Sequence, residues 1–275
     1  MFQAAAGMAL AARHGTGLAF DLSRYRRNAL RAYALESFAI RAELMPVPSG
    51  LSARLFRLRT RILGDKGRPP GFSGPIYREL GFRYDPSFAE LPDGVLIAGY
   101  FQSVRYFESY SREIARAFTL DTLASPSALA LAKQLEGENC IALHLRRGDY
   151  AADPKAQSIH GVLGWDYYDR GLAHIRQASP DARVYVVSDD PCAAQEGAGR
   201  WRNAQVLAGQ GAGDDLFLMS RARHHIIANS SFSWWSAWLD RREGGIRVAP
   251  KAWFTPEAMR TRPITELVPA DWVLL

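Results

Sequence analysis

The chain reads as an α/β protein whose second half forms a parallel, doubly wound sheet, and two observations predict this. From residue 141 onward, short apolar runs alternate with helical patterns, as a parallel sheet with crossover helices requires. Apolar runs also give way to polar loops at their carboxyl ends: Arg146-Arg147-Gly148-Asp149, Ser188-Asp189-Asp190-Pro191 and Asn229-Ser230-Ser231. These loops should converge on one rim of the sheet, where open α/β sheets bind their ligands.

The first half is less regular. Helix signals over 2–12 precede a strand at 18–22, and the Arg-rich, Pro- and Gly-punctuated stretch 45–74 reads as surface helix plus loop. Residues 95–100 read as a strand and 108–118 as a helix. A domain boundary is expected between 125 and 137, giving an N-terminal domain over 1–132 and a C-terminal domain over 133–275. Beyond it, 141–145 is a buried strand. Residues 165–178 are a helix with Tyr168, Leu172 and Ile175 on one stripe. Strands follow at 183–187, 205–208, 225–228 and 246–249, the last stopped by Pro250. Helices are expected at 215–221 and 231–240. No internal repeat or low-complexity tract is present.

At 275 residues the chain can bury a substantial core, and 48% hydrophobic with 23% charged residues is an ordinary globular composition. Lys and Arg total 34 against 28 Asp and Glu, a net +6 concentrated as arginine in the first third. No nucleic-acid fold signature accompanies that charge, so nucleic acid ranks last among anionic partners. Attraction to an anionic membrane face is compatible with it. No stretch is apolar for long enough to span a bilayer, and the amino terminus lacks the order of a signal peptide. The expectation is a soluble cytoplasmic protein, compatible with peripheral attachment to the inner membrane face; the Ala- and Arg-rich composition suits a bacterium. Two cysteines, Cys140 and Cys192, cannot make a disulfide framework or a zinc site.

The segment His144-Leu145-Arg146-Arg147-Gly148-Asp149-Tyr150 carries the most chemistry. Two guanidiniums at a strand's carboxyl end suit a phosphate or diphosphate, which Arg grips bidentately. Strand alternation points His144 and Arg146 the same way. A surface salt-bridge network is the competing reading. Asp189 and Asp190 could bind a divalent metal, but no further carboxylate or His joins them locally, and Asp before Pro suits a cap into the next helix. Asp214 and Asp215 open a helix as N-caps or, for Asp215, as acceptor for a nucleobase. The loop Gly209-Gln210-Gly211-Ala212-Gly213 lacks the G-x-G-x-x-G spacing and reads as a flexible turn.

Asn229-Ser230-Ser231 joins a buried strand to a helix, whose free N–H groups and hydroxyls form an anion site. Trp234, Trp235 and Trp238 read as packing. The sequon at Asn229 and the adhesion-like tripeptide Arg147-Gly148-Asp149 are both discounted, because each follows a core strand.

Taken together, these elements resemble the α-1,2-fucosyltransferase family, inverting enzymes that use GDP-fucose. The likeness covers nearly the whole chain: Gly99-Tyr100-Phe101-Gln102-Ser103, the arginine motif, His160-Gly161-Val162-Leu163, Asp166-Tyr167-Tyr168, Ser188-Asp189-Asp190-Pro191, the run from Leu218-Met219-Ser220 through His225 to Trp235, and Ala249-Pro250-Lys251-Ala252-Trp253-Phe254. Protein O-fucosyltransferases and α-1,6-fucosyltransferases share a reduced version.

The resemblance implies two facing Rossmann-like domains of GT-B type, with the donor in the second and the acceptor between them, and a metal-independent reaction without cofactor. It implies that Arg146 binds the β-phosphate. His144, Asp190 and Asp215 shape or contact the donor pocket, with Asp215 near guanine. Ser230 and Ser231 hold diphosphate oxygens, and Arg147 and Asn229 join the donor-binding set. The implied partners are GDP-fucose and a galactose-terminated glycan. The acceptor's proton needs a carboxylate, for which Asp149 is the first candidate and Asp153 the next. The family opens with a strand and a Gly-Leu-Gly-Asn-Gln loop before Met-Phe-Gln, and this sequence begins at Met1-Phe2-Gln3. The expectation is a chain short of that strand and loop, binding GDP better than it transfers fucose.

Overall fold

A computed structural model describes residues 1–22, 33–46, 50–63, 69, 72–120, 124–148, 154–207, 211–240, 242–262 and 266–275. It divides into two units, Met1–Phe118 and Thr119–Leu275. In the first, α1 (Phe2–His14) buries Phe2, Ala4, Ala5, Ala6, Ala9 and Leu10. Gly15, at φ +66°, ends it: the left-handed turn lets the Gly15 and Thr16 N–H groups donate to Ala12 and Ala11 carbonyls. Two short parallel pairs follow, β1 (Ala19–Phe20) with β2 (Glu43–Leu44) and β3 (Ile76–Arg78) with β4 (Leu96–Ala98). The helix expected within 45–74 is α2 (Gly50–Leu63). The helix expected at 108–118 starts as a 3₁₀ turn, Glu108–Tyr110, before α3 (Ser111–Ala117).

The Gly99-Tyr100-Phe101 segment is held from two sides. Gln3 Nε2 donates to the Gly99 carbonyl at 2.6 Å, and Glu79 Oε2 accepts the Tyr100 and Phe101 N–H groups at 2.6 and 2.9 Å. Phe101 sits at φ +52°, a region side chains rarely occupy, and is fully buried. Its ring packs on Tyr77, Phe88 and Tyr106 at centroid distances of 6.3, 5.6 and 5.2 Å, contacts that hold the unfavourable backbone.

The second unit begins before the expected division at 132/133, and the reason is α4 (Pro126–Gly137). The stretch expected to hold the boundary is this helix, capped by Ser125, whose hydroxyl accepts the Ala128 N–H at 3.2 Å, with Pro126 at the first helical position. Asp214 ties Ser125 into the unit, accepting its N–H and its hydroxyl at 2.7 Å each.

The chain then runs β5 (Cys140–Leu145), α5 (Pro154–His160), α6 (Trp165–Ala178), β6 (Arg183–Ser188), α7 (Pro191–Arg200), β7 (Ala204–Val206), α8 (Ala212–Met219), β8 (His224–Ile226), α9 (Ser231–Leu239), β9 (Arg247–Ala249), α10 (Pro256–Thr261) and β10 (Val273–Leu274). All six strands pair in parallel, in the order β10-β9-β8-β5-β6-β7. The chain moves from β5 to β6 and β7, then crosses back to β8 on the other side of β5. The carboxyl ends of β5 and β8 therefore flank the switch point, where such sheets bind ligands.

Every residue of β5 is buried, as its unbroken apolar run predicts. Ile141, Leu143 and Leu145 join Val184, Val186 and Ile226 in a core closed by Tyr168, Leu172 and Ile175, the stripe read from sequence. Alternation sends Ala142 and His144 to the other face. A buried charge cluster locks β8, α9 and β9: Asp240 accepts from His225 Nε2 and Arg242 Nε at 3.1 Å each, and its carboxylate lies 3.3 Å from the Arg247 guanidinium. Among the described residues, no helix is long and apolar enough to cross a membrane. Both cysteines are free thiols.

Candidate site at the carboxyl rim of the sheet

Where β5 ends, the chain turns under the control of one carboxylate from the end of β6. Asp189 Oδ1 accepts the backbone N–H groups of Arg147 and Gly148 at 2.9 and 3.0 Å, and Oδ2 lies 3.0 Å from the Arg146 guanidinium. A Cβ on Gly148 would sit 2.8 Å from that carboxylate, so the close approach requires glycine. Burial pulls the Asp189 pKa up, but the two N–H groups and Arg146 outweigh it and hold the carboxyl below its ordinary value. The two arginines take different partners. Arg147 lies over the Trp165 ring, 4.9 Å from its centroid, beside Arg200 at 5.6 Å.

His144 lies one alternation before Arg146 and is buried, its ring 5.7 Å from that of Phe232 in the first turn of α9. Burial, and then the Arg146 charge, push its pKa down to about 4, against the opposing pull of Asp189. The imidazole is therefore neutral near pH 7, and its Nδ1 has no hydrogen-bond partner among the described residues. Ser230 caps α9, its hydroxyl accepting the Phe232 N–H at 3.3 Å, while Ser231 opens the helix half-buried. This helix start offers N–H groups and a positive dipole end at the rim, a site suited to an anion.

Asn229 joins three motifs that lie far apart in sequence. Its amide nitrogen donates to the His160 carbonyl at 2.8 Å and the Trp253 carbonyl at 3.2 Å. The Thr255 N–H donates to the Ile159 carbonyl at 2.9 Å, and the rings of His160 and Phe254 lie 5.4 Å apart. Asn229 thus braces the loops behind β8, which positions Ser230.

Asp190 acts as the alternative from turn chemistry required: its Oδ1 accepts the Cys192 and Ala193 N–H groups at 2.9 and 3.2 Å and caps α7. The carboxylate that meets the arginine loop is its neighbour Asp189. The two carboxylates serve different partners, and no group of three or more metal-ligating side chains occurs among the described residues. Asp214 and Asp215 both lie in the first turn of α8, but neither caps it: Gly211 is the N-cap. Asp214 is buried toward Ser125 and Asp215 is half-buried. Trp234 and Trp235 are buried, with Trp234 Nε1 donating to the Leu267 carbonyl at 2.8 Å, so they pack as expected. Asp149, Asp153 and residues 208–210 lie outside the described residues.

Sequence reasoning weighed Asp189 only as a metal ligand and did not single out Trp165 or Ser125 as contributors. Asp189 was accessible through alternation, since it shares the face of Val187 while Asp190 precedes a proline that starts a helix.

The family model described as glycosyl transferase family 11 matches residues 87–274. Two curated proteins from Escherichia coli are similar. The O-antigen biosynthesis glycosyltransferase WbnK is 34% identical over 172 residues, 60% of this chain and 57% of its own. An α-1,2-colitosyltransferase is 32% identical over 183 residues, 64% of this chain and 60% of its own. The chain thus spans less than two thirds of the curated relatives it matches. Among solved structures, the fucosyltransferase NodZ from Bradyrhizobium is similar over 86% of this chain and 87% of its own, at 16% identity and a TM-score of 0.49. The chain belongs to glycosyl transferase family 11.

Proposed function

We propose that the protein is a galactoside α-1,2-fucosyltransferase, moving L-fucose from GDP-fucose to the 2-hydroxyl of a galactose with inversion and without a metal. The observation that carries this reading is the pairing of Arg146, held by Asp189, with the start of α9 at Ser230 and Ser231, at the carboxyl ends of neighbouring strands β5 and β8. A leaving diphosphate gains charge as the sugar becomes oxocarbenium-like, and a guanidinium with a helix start can stabilise that charge. In this reading Arg147 and His144 line the donor pocket, Asp215 receives the guanine, and Asn229 and Asp190 position the rim. Asp149, or failing it Asp153, removes the acceptor proton. Family membership supports sugar transfer, and the name of the α-1,2-colitosyltransferase relative supports the linkage.

That same name favours one second reading, in which the donor is a GDP-sugar other than GDP-fucose. The test is incubation of the purified chain with GDP-fucose and a β-galactoside, with the product linkage read by NMR, beside a panel of GDP- and UDP-sugars. An α-1,2-fucosyl product is expected. Turnover with a different GDP-sugar alone would favour the second reading, and donor binding without any turnover would overturn both. Asp149→Asn and Asp153→Asn, assayed side by side, identify the base by which one abolishes transfer.

A further inference from the structure

The helix α2 displays an apolar stripe to solvent. Leu51, Leu55, Leu58 and Ile62 are 72%, 61%, 57% and 72% exposed, although each is a residue that folding ordinarily buries. Their spacing of four, three and four places them on one side of a helix, one above the other. The helix also carries Arg54, Arg57, Arg59 and Arg61 and no Asp or Glu, and Arg54 and Arg61 are exposed.

We propose that α2 lies in the plane of an anionic lipid surface, with its leucine stripe in the acyl boundary and its arginines among acidic headgroups. A basic helix with one apolar side and low overall hydrophobicity fits that setting. Charge decides between occupants. A second copy of this helix would bring arginines against arginines with no carboxylate to offset them. Nucleic acid would meet the arginines but leave the leucines in water. Acidic lipid answers both features, with each arginine contributing about fivefold to partition near such a surface. The proposal is independent of which sugar the protein transfers.

Flotation of the full chain with vesicles tests it. The chain should float with phosphatidylcholine–phosphatidylglycerol vesicles and remain behind with phosphatidylcholine alone, and added salt should release it. Leu55→Glu with Leu58→Glu, at exposed positions that leave the core intact, should reduce flotation at least about tenfold. Arg54→Gln with Arg61→Gln should reduce it about 25-fold. Circular dichroism checks that both variants fold, and the wild-type salt titration needs no variant. Failure to float with acidic vesicles at low salt would overturn the proposal, as would unchanged flotation of the glutamate variant. So would a wild-type dimer that the glutamate variant breaks, which would assign the stripe to a second copy.

Discussion

The guanidinium of Arg146 lies 3.0 Å from Asp189 Oδ2, and the other oxygen of that carboxylate accepts the N–H groups of Arg147 and Gly148. One side chain just past β6 therefore sets both the path of the loop after β5 and the direction of its first arginine. Asp189→Asn keeps an oxygen for the two N–H groups but loses the ion pair. GDP binding should weaken about tenfold, or ~1.4 kcal/mol, as Arg146 loses its orientation. Calorimetry checks this; tighter binding in the variant would mean that Asp189 competes with the phosphate instead of presenting the arginine.

Metal is expected to play no part in transfer. Full activity in excess chelator is the predicted result, together with no rescue of Asp190→Asn by manganese, since Asp190 caps α7. A strict divalent-ion requirement in the purified enzyme would return Asp189 and Asp190 to a metal site.

Stability should fall on the acid side. Burial first, and neighbouring positive charge second, lower His144 and His224 from 6.5 to about 4, and burial lowers His225 as well. Between those values the unfolded chain takes up protons that the folded chain refuses. Stability is thus complete above 6.5 and drains as pH falls toward 4. His144 alone corresponds to roughly 3 kcal/mol. Urea unfolding at about pH 7 and about pH 4.5 measures the loss. His144→Gln should lessen it, and an unchanged pH dependence would refute this role.

Ser125→Ala removes the cap of α4 and one of the hydrogen bonds to buried Asp214. A loss of about 1–3 kcal/mol is expected. The melting temperature should drop by about 2–4 °C for each kcal/mol. A drop no larger than that of an exposed control substitution would show that this junction does not hold α4 to the second unit.

Much of the second unit was legible. The helix Trp165–Ala178 falls where its stripe placed it, and β5 was plain from its apolar run. One helix was passed over: Ser125-Pro126 read as part of a linker, yet it is a cap followed by proline at the first helical position, the same arrangement that Asp190-Pro191 was read to offer the next helix. The neighbour relation of β8 and β5, which brings Ser230 to the arginine rim, depends on pairing between residues such as Leu143 and Ile226 that no local pattern encodes. The positions of Arg146, Ser230 and Ser231 at strand ends could be read from the chain; alternation could give the face of Asp189, but its partner, the loop after β5, follows from the alignment of β5 and β6, Leu145 opposite Ser188.

The central claim is that Arg146 grips the donor diphosphate, and Arg146→Lys tests it most directly. Lysine keeps the charge and loses the bidentate fork. GDP affinity by calorimetry and fucose transfer to a β-galactoside should be measured on the same preparations, with folding confirmed by the melting temperature. Transfer should fall about 10²-fold or more, with weaker GDP binding and an unchanged fold. Near-wild-type transfer in a folded lysine variant would contradict the claim and place the diphosphate elsewhere.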